Sequence, residues 1–198
     1  MKLPHISASG LACVMMLGAC HGPSERLMLD VHHLPAGEVA LADVAAAHQK
    51  DLAVQDAHDV RYRRYWVDQG TGTIFCLVEA PTPEAASDVH REAHGFLADE
   101  LREVVPGIRP ATASGAPLFM DTHRMDSGVR AEDVAAAHLK DLAVEGRHSV
   151  RFLEYWVDER GGVVHCLAEA PDAQAVVAAH REAHGLLPES VQPVVEGP

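Results

Sequence analysis

The 198-residue sequence predicts an α+β protein of two tandem ferredoxin-like domains, each of βαββαβ order, paired within one chain as a pseudo-dimer. Three observations predict it. The segments DVAAAH (43–48), YWVD (65–68) and HREAHG (90–95) all return 90 residues later, at 133–138, 155–158 and 180–185. About half of the aligned positions between Asp43 and Val105 match their partners, which marks duplication of a unit of about 80 residues. Within each unit the apolar pattern alternates between period 2 and period 3.6, in the order strand, helix, strand, strand, helix, strand. Finally, a sheet with helices on one face leaves its other face bare, and a second copy on the same chain can cover it.

The elements follow in order. Leu27 to His32 is a short strand, and Ala42 to Asp56 is an alanine-rich helix. Val60 to Val67 is a strand ended by the turn DQGTG, and Thr73 to Ala80 is the next strand. Pro83 opens the second helix, Gly95 ends it, and Leu101 to Val105 closes the unit. The domains are expected at 27–106 and 118–197. Residues 107–117 form the linker, within the Pro-, Gly- and Ala-rich run PGIRPATASGAP.

Residues 1–20, MKLPHISASGLACVMMLGAC, read as an export signal, with an apolar stretch too short to span a bilayer. Leu17, Gly18, Ala19 and Cys20 resemble the lipobox of bacterial lipoproteins, in which the cysteine is acylated. At about 0.8 kcal/mol per buried methylene, two or three acyl chains would hold the protein durably on a membrane. The expected location is the cell envelope, periplasmic or on the outer surface. Only Cys76 and Cys166 remain in the body, in the strands IFCLVEAP and VHCLAEAP, where a free cysteine packs as a small apolar group.

The formal net charge of −13, from 29 acidic and 16 basic residues, argues against nucleic acid as a partner and favours cations. Fourteen histidines point the same way, since imidazole is a frequent ligand of transition metals. His90 and His94 lie one turn apart on the second helix, at the edge of a stripe formed by Ala85, Val89, Ala93 and Phe96, and His180 and His184 repeat them. The zinc-protease motif is excluded because Arg91 stands where its glutamate is needed. Asp30 with His32, and Asp121 with His123, share one face of the first strand in each repeat. His48 and Asp51, like His138 and Asp141, fall on the sheet-facing side of the first helix, where unpaired polar groups cost about 1–3 kcal/mol each. A satisfied His–Asp core pair and a metal-ligating role both fit them. Asp30, His32, His48, Asp51, His58, Glu79, His90 and His94 have identical counterparts in the second copy, whereas Arg124 answers His33 and His165 answers Phe75. The candidate metal residues are Asp30, His32, His48, His90, His94, Asp121, His123, His138, His180 and His184.

The pattern DxH on strand one, AHxxDLxVQ on helix one, VRxxxYWVD, then FCLxEAP and VHREAHG resembles a family of small nickel-binding, ferredoxin-like bacterial domains. The resemblance covers both repeats almost end to end. It implies a ferredoxin-like dimer that binds nickel or a similar divalent ion through histidine-rich sites and has no established catalytic activity. By motif the implied ligands are Asp30, His32, His90 and His94, with Asp121, His123, His180 and His184. The chain departs from the family in having His58-Asp59 and His148-Ser149 where an aromatic-Gly pair is common, and in its tandem fusion and leader. The expected function is therefore an envelope lipoprotein that sequesters or buffers Ni(II), with Zn(II), Cu(II) or Co(II) also compatible with mixed nitrogen and oxygen donors. A further homo-oligomer is compatible with this arrangement. The second reading is a small-molecule enzyme of the dimeric α/β-barrel type, with His48 or His90 as general base in a cavity between the repeats. No nucleophile, oxyanion element or cofactor fingerprint accompanies it.

Overall fold

The computed structural model describes residues 26–108 and 114–198. The first repeat runs β1 (Arg26–His33), α1 (Leu41–Val54), a 3-10 turn (Gln55–His58), β2 (Arg61–Asp68), β3 (Thr73–Ala80), α2 (Pro83–Ala93), β4 (Glu100–Glu103) and β5 (Val105–Ile108). The second runs β6 (Leu118–Arg124), α3 (Ala131–Val144), a 3-10 turn (Glu145–His148), β7 (Arg151–Asp158), β8 (Val163–Glu169), α4 (Ala173–Ala183) and β9 (Ser190–Glu196). The expected leader with Cys20, and residues 109–113 of the expected linker, lie outside the described residues. Among the described residues no helix is long and apolar enough to cross a membrane.

The order of the elements is the one expected, with local differences. The first helix ends at Val54 instead of Asp56, and the chain tightens into the 3-10 turn that Asp59 closes in the left-handed conformation (φ 55). Such a turn suits aspartate, whose short polar side chain tolerates αL. Serine does the same at Ser149 (φ 56). Thr82 caps α2 by accepting from the Ala85 N–H at 3.2 Å, with Pro83 following at the first turn.

The expected last strand is in fact two, broken at Val104. β4 pairs with β1 of its own repeat, while β5 crosses to pair with β7 of the other. β9 does likewise in one piece, pairing with β6 and then, through Val195 and Glu196, with β2. The result is a single antiparallel sheet of order β4-β1-β3-β2-β9-β6-β8-β7-β5. Its end strands follow one another in the chain, so the sheet wraps nearly into a barrel. Gly107 and Gly197 permit the two crossings. A Cβ on Gly107 would meet the Tyr155 ring at 1.8 Å, and one on Gly197 would meet the Tyr65 ring at the same distance.

Inside the barrel, Leu29, Val31, Trp66, Phe75 and Leu77 pack against Met120, Leu153, Trp156, Leu167 and Val194 as one core. Trp66 and Trp156 are fully buried, with ring centroids 5.2 Å apart. Each sheet thus covers the other's bare face, which makes the two repeats an intrachain pseudo-dimer. Bulges between Tyr62 and Arg64, and between Phe152 and Glu154, bend β2 and β7 around the barrel. On the outer face Met28, Tyr62, Tyr65, Ile74 and Cys76 pack under α1 and α2, and a matching layer including Phe119 and Phe152 packs under α3 and α4. His48 and His90 belong to this outer layer. The middle of the barrel is filled by the tryptophan pair, and a cavity of about 280 Å³ between the repeats, lined in part by Phe75, Thr122 and His165, has neither His48 nor His90 on its wall.

Candidate metal centre

Three elements meet under the helices of the first repeat. The alternation of β1 turns Asp30 and His32 to the outer face, with Asp30 opposite Cys76 in register. From above, α1 lowers Asp51 and α2 lowers His90, each onto the sheet. His90 is 3% exposed and occupies the centre of the cluster. Its Nδ1–H donates to Asp51 Oδ1 at 3.0 Å and its Nε2–H to Asp30 Oδ2 at 3.1 Å. The Tyr62 hydroxyl lies 3.1 Å from the same Nε2 and donates to the Ala86 carbonyl at 3.3 Å. His94 Nε2 reaches Asp51 Oδ1 at 3.1 Å, and His32 Nε2 stands 3.7 Å from Asp30 Oδ1.

The second repeat rebuilds this arrangement. His180 Nδ1 and Nε2 lie 2.9 Å from Asp141 Oδ1 and 3.3 Å from Asp121 Oδ2. His184 Nε2 is 3.1 Å from Asp141 Oδ1, and His123 Nε2 is 3.2 Å from Asp121 Oδ1. Phe152 replaces Tyr62 against the central imidazole, so the hydroxyl contact is confined to the first repeat.

Burial alone would lower the pKa of His90, but its hydrogen bonds to Asp30 and Asp51, with their charges, outweigh that and bring it up to about 9. His180 is raised to about 9 in the same way by Asp121 and Asp141. Burial also works against ionisation of Asp121, yet the His123 and His180 imidazoles beside it hold its pKa at about 2. His32, His48, His94 and His184 are shifted downward, chiefly by burial. At neutral pH a protonated central imidazole, His90 or His180, therefore lies between two aspartates in each cluster, while burial pushes His32, His48, His94 and His184 towards the neutral form.

The residues present suit a cation. Candidate ligand atoms within 4.8 Å of one another form the groups Asp30/His32/Cys76 and Asp51/His90/His94 in the first repeat, and Asp121/His123/His180 and Asp141/His180/His184 in the second. Asp30 Oδ1 and Asp121 Oδ1 are buried and receive no well-directed hydrogen bond. A carboxylate oxygen left so is costly, and a metal ion would satisfy it. Burial, with Asp30 beside it, pushes the Cys76 thiol well up, so in the absence of a metal ion it stays protonated.

Among the residues expected from sequence, Asp30, His32, His90 and His94 come together, as do Asp121, His123, His180 and His184. His48 and His138 stand beside them, against Tyr65 and Tyr155 with centroids 4.6 Å apart in each pair. The local pairing of His48 with Asp51 is not made, because Asp51 turns to His90 and His94 on α2. His90 also departs from expectation, being buried on the core side of α2 and not set along its edge. The expected stripe ran through Phe96, but α2 ends at Ala93 and Phe96 is 66% exposed. Asp51, Asp141 and Tyr62 contribute as well, beyond the candidate ligands read from the sequence. The buried position of the two aspartates was visible in the helix pattern, but their partners were not. The remaining members of HREAHG have structural work: Glu92 holds His58 at 2.9 Å and Glu182 holds His148 at 2.6 Å, tying α2 and α4 to the 3-10 turns.

The family model described as "Nickel responsive protein SCO4226-like" matches residues 28–104 and 119–194. Among solved structures, SCO4226 from Streptomyces coelicolor A3(2) is similar at 38% identity, over 44% of this chain and 99% of its own, with a TM-score of 0.37. A heme-binding protein from Thermus thermophilus is 10% identical over 87% of this chain and 90% of its own, with a TM-score of 0.43. An anthrone oxidase-like protein is 11% identical over 86% and 91%, with a TM-score of 0.41. No curated protein matches the sequence. The family match falls once on each repeat and takes in both histidine–aspartate clusters, and on that ground the chain belongs to the SCO4226-like nickel-responsive family.

Proposed function

We propose that the protein binds divalent transition metal, Ni(II) or a near equivalent among Zn(II), Cu(II) and Co(II), with one ion in each repeat, and so sequesters or buffers it at the cell envelope. One observation carries the reading: a buried histidine–aspartate cluster is built twice, and each copy holds a buried aspartate oxygen, Asp30 Oδ1 or Asp121 Oδ1, that receives no well-directed hydrogen bond. Asp30, His32 and His90 would hold the ion in the first repeat, and Asp121, His123 and His180 in the second. Asp51 and Asp141 keep the Nδ1–H of the central histidine, which points its Nε2 at Asp30 or Asp121, as carboxylates behind metal-bound imidazoles commonly do. His94 and His184 stand on the same aspartates within reach of the cluster. Burial under two helices leaves the cluster open to solvent only through the cleft beside the first helix of each repeat. The reading of residues 17–20 as a lipobox supports the envelope location, with Cys20 as the acylated residue.

Calorimetric titration of purified, chelator-stripped protein with Ni(II), Zn(II) and Cu(II) tests this. Two ions per chain are expected, and both should be lost in the Asp30→Asn/Asp121→Asn variant while its circular dichroism stays native. Undiminished binding by that variant would refute the proposed centre.

A further inference from the structure

Each metal cluster is the floor of a cleft between the first helix of its repeat and the sheet. The first-repeat cleft holds about 250 Å³ and is walled by Leu34, Val39, Val44, Ile74 and Phe96. The second holds about 370 Å³, between Met125, Val129, Val134, Val164 and Leu186. The difference follows from the sequence, since Val164 and Leu186 are smaller than their counterparts Ile74 and Phe96. Both clefts open past a large apolar side chain, Phe96 or the 63% exposed Leu186. His32, Asp51, His90 and His94 line the first cleft, and His123, Asp141, His180 and His184 the second. The walls are therefore apolar and the polar atoms are gathered at one end. Such a space suits a molecule with the same division, because water against apolar walls finds few partners. An ion held by about three protein donors would also keep coordination positions free for a further ligand. Compared with the roughly 150 Å³ cavity that accepts benzene, these clefts have room for a body of one or two rings.

We infer that each cleft binds a small organic molecule with an aromatic or aliphatic body and a bidentate oxygen- or nitrogen-donor head, which completes the coordination of the metal ion. This rests on the metal-binding reading, and the protein then carries the ion as a ternary complex. The second repeat takes the bulkier ligand. The ligand enters beside Phe96 or Leu186, seats its body under α1 or α3, and turns its donor atoms to the cluster.

The test uses the full chain, Ni(II), and two probes with the same donor head: benzohydroxamate, which has a ring, and acetohydroxamate, which has none. Nickel affinity and the visible Ni(II) spectrum are measured with each. Benzohydroxamate is expected to raise nickel affinity about tenfold or more and to shift the spectrum, with acetohydroxamate falling well short. Filling the clefts with Val44→Trp/Val134→Trp, or more gently with Ala47→Leu/Ala137→Leu, should leave nickel binding intact and abolish the benzohydroxamate effect. Removal of nickel by benzohydroxamate without a ternary spectrum, equal action of the two probes, or an unchanged response in both filled variants would overturn the inference while nickel binding stands. Absence of nickel binding without any probe would instead overturn the metal reading, and this inference with it.

Discussion

Replacing His165 by phenylalanine should make the protein markedly less sensitive to acid. His165 projects into the barrel from β8, is 2% exposed, and lies 5.6 Å, centroid to centroid, from its own counterpart Phe75. Its Nδ1 is 3.0 Å from the Thr122 hydroxyl, and its Nε2 is buried without a hydrogen-bond partner among the described residues. Burial pushes its pKa down from the usual 6.5 to about 4. In the window between those two values the unfolded chain binds a proton that the folded one refuses, so stability falls as pH falls. Linkage puts the loss at about 2 kcal/mol near pH 5 and about 3 kcal/mol once pH is below 4. Phenylalanine removes the titration altogether. A neighbouring cavity of about 280 Å³, lined in part by Phe75, Thr122 and Gln192, gives the larger ring room. Near neutrality, release of the orphaned nitrogen and loss of the Thr122 partner should offset to within about 1 kcal/mol. Urea unfolding of metal-free wild type and His165→Phe, followed by circular dichroism near pH 7.5 and pH 5, measures the difference directly. The variant should gain about 2 kcal/mol relative to wild type on going to the lower pH. Parallel stability losses in the two proteins would show that His165 titrates normally in the fold and would refute the argument.

Two further predictions concern the crossing strands and the metal centre. Gly107→Ala should cost about 1–3 kcal/mol by forcing Tyr155 out of its place, and the loss should be strongly non-additive with Tyr155→Ala in a double-mutant cycle of thermal unfolding. Additive losses would mean that the ring moves aside freely. Since His90 and His180 are protonated at neutral pH, metal uptake through their Nε2 atoms should release about one proton per site. Affinity should then rise as pH is raised towards 9 and level off above it, and calorimetry in buffers of different ionisation enthalpy counts the protons. A count near zero would place the ion on other donors.

The elements of the fold were legible because their boundaries carry chemical signals. Thr73–Ala80 is observed where it was expected, bounded by the turn before it and by the Pro-containing helix start after it. The break of the last strand at Val104 carried no signal, since it depends on a partner strand about fifty residues further on. The site was legible as a set of residue types and less so as a set of contacts. Asp30 and His32 needed only the alternation of one strand. The burial of His90 depended on where α2 stops, and counting Phe96 within the helix turned the apolar stripe away from its true direction along Ala86, Val89 and His90. Tyr62, which reaches His90, stands next to a bulge in β2 that leaves no mark in the local sequence.

By itself the sequence determined the duplication, the order of strands and helices, and the recurring pairs of aspartate and histidine. Repeats, periodicity and residue chemistry are properties of the chain read locally. Only the tertiary structure decided that each repeat lends its last strand to the other, that the two tryptophans close the barrel, and that Asp51 serves His90 and not its neighbour His48. Those outcomes depend on which distant side chains share one low-dielectric space, where buried carboxylates and imidazoles are paired across elements tens of residues apart.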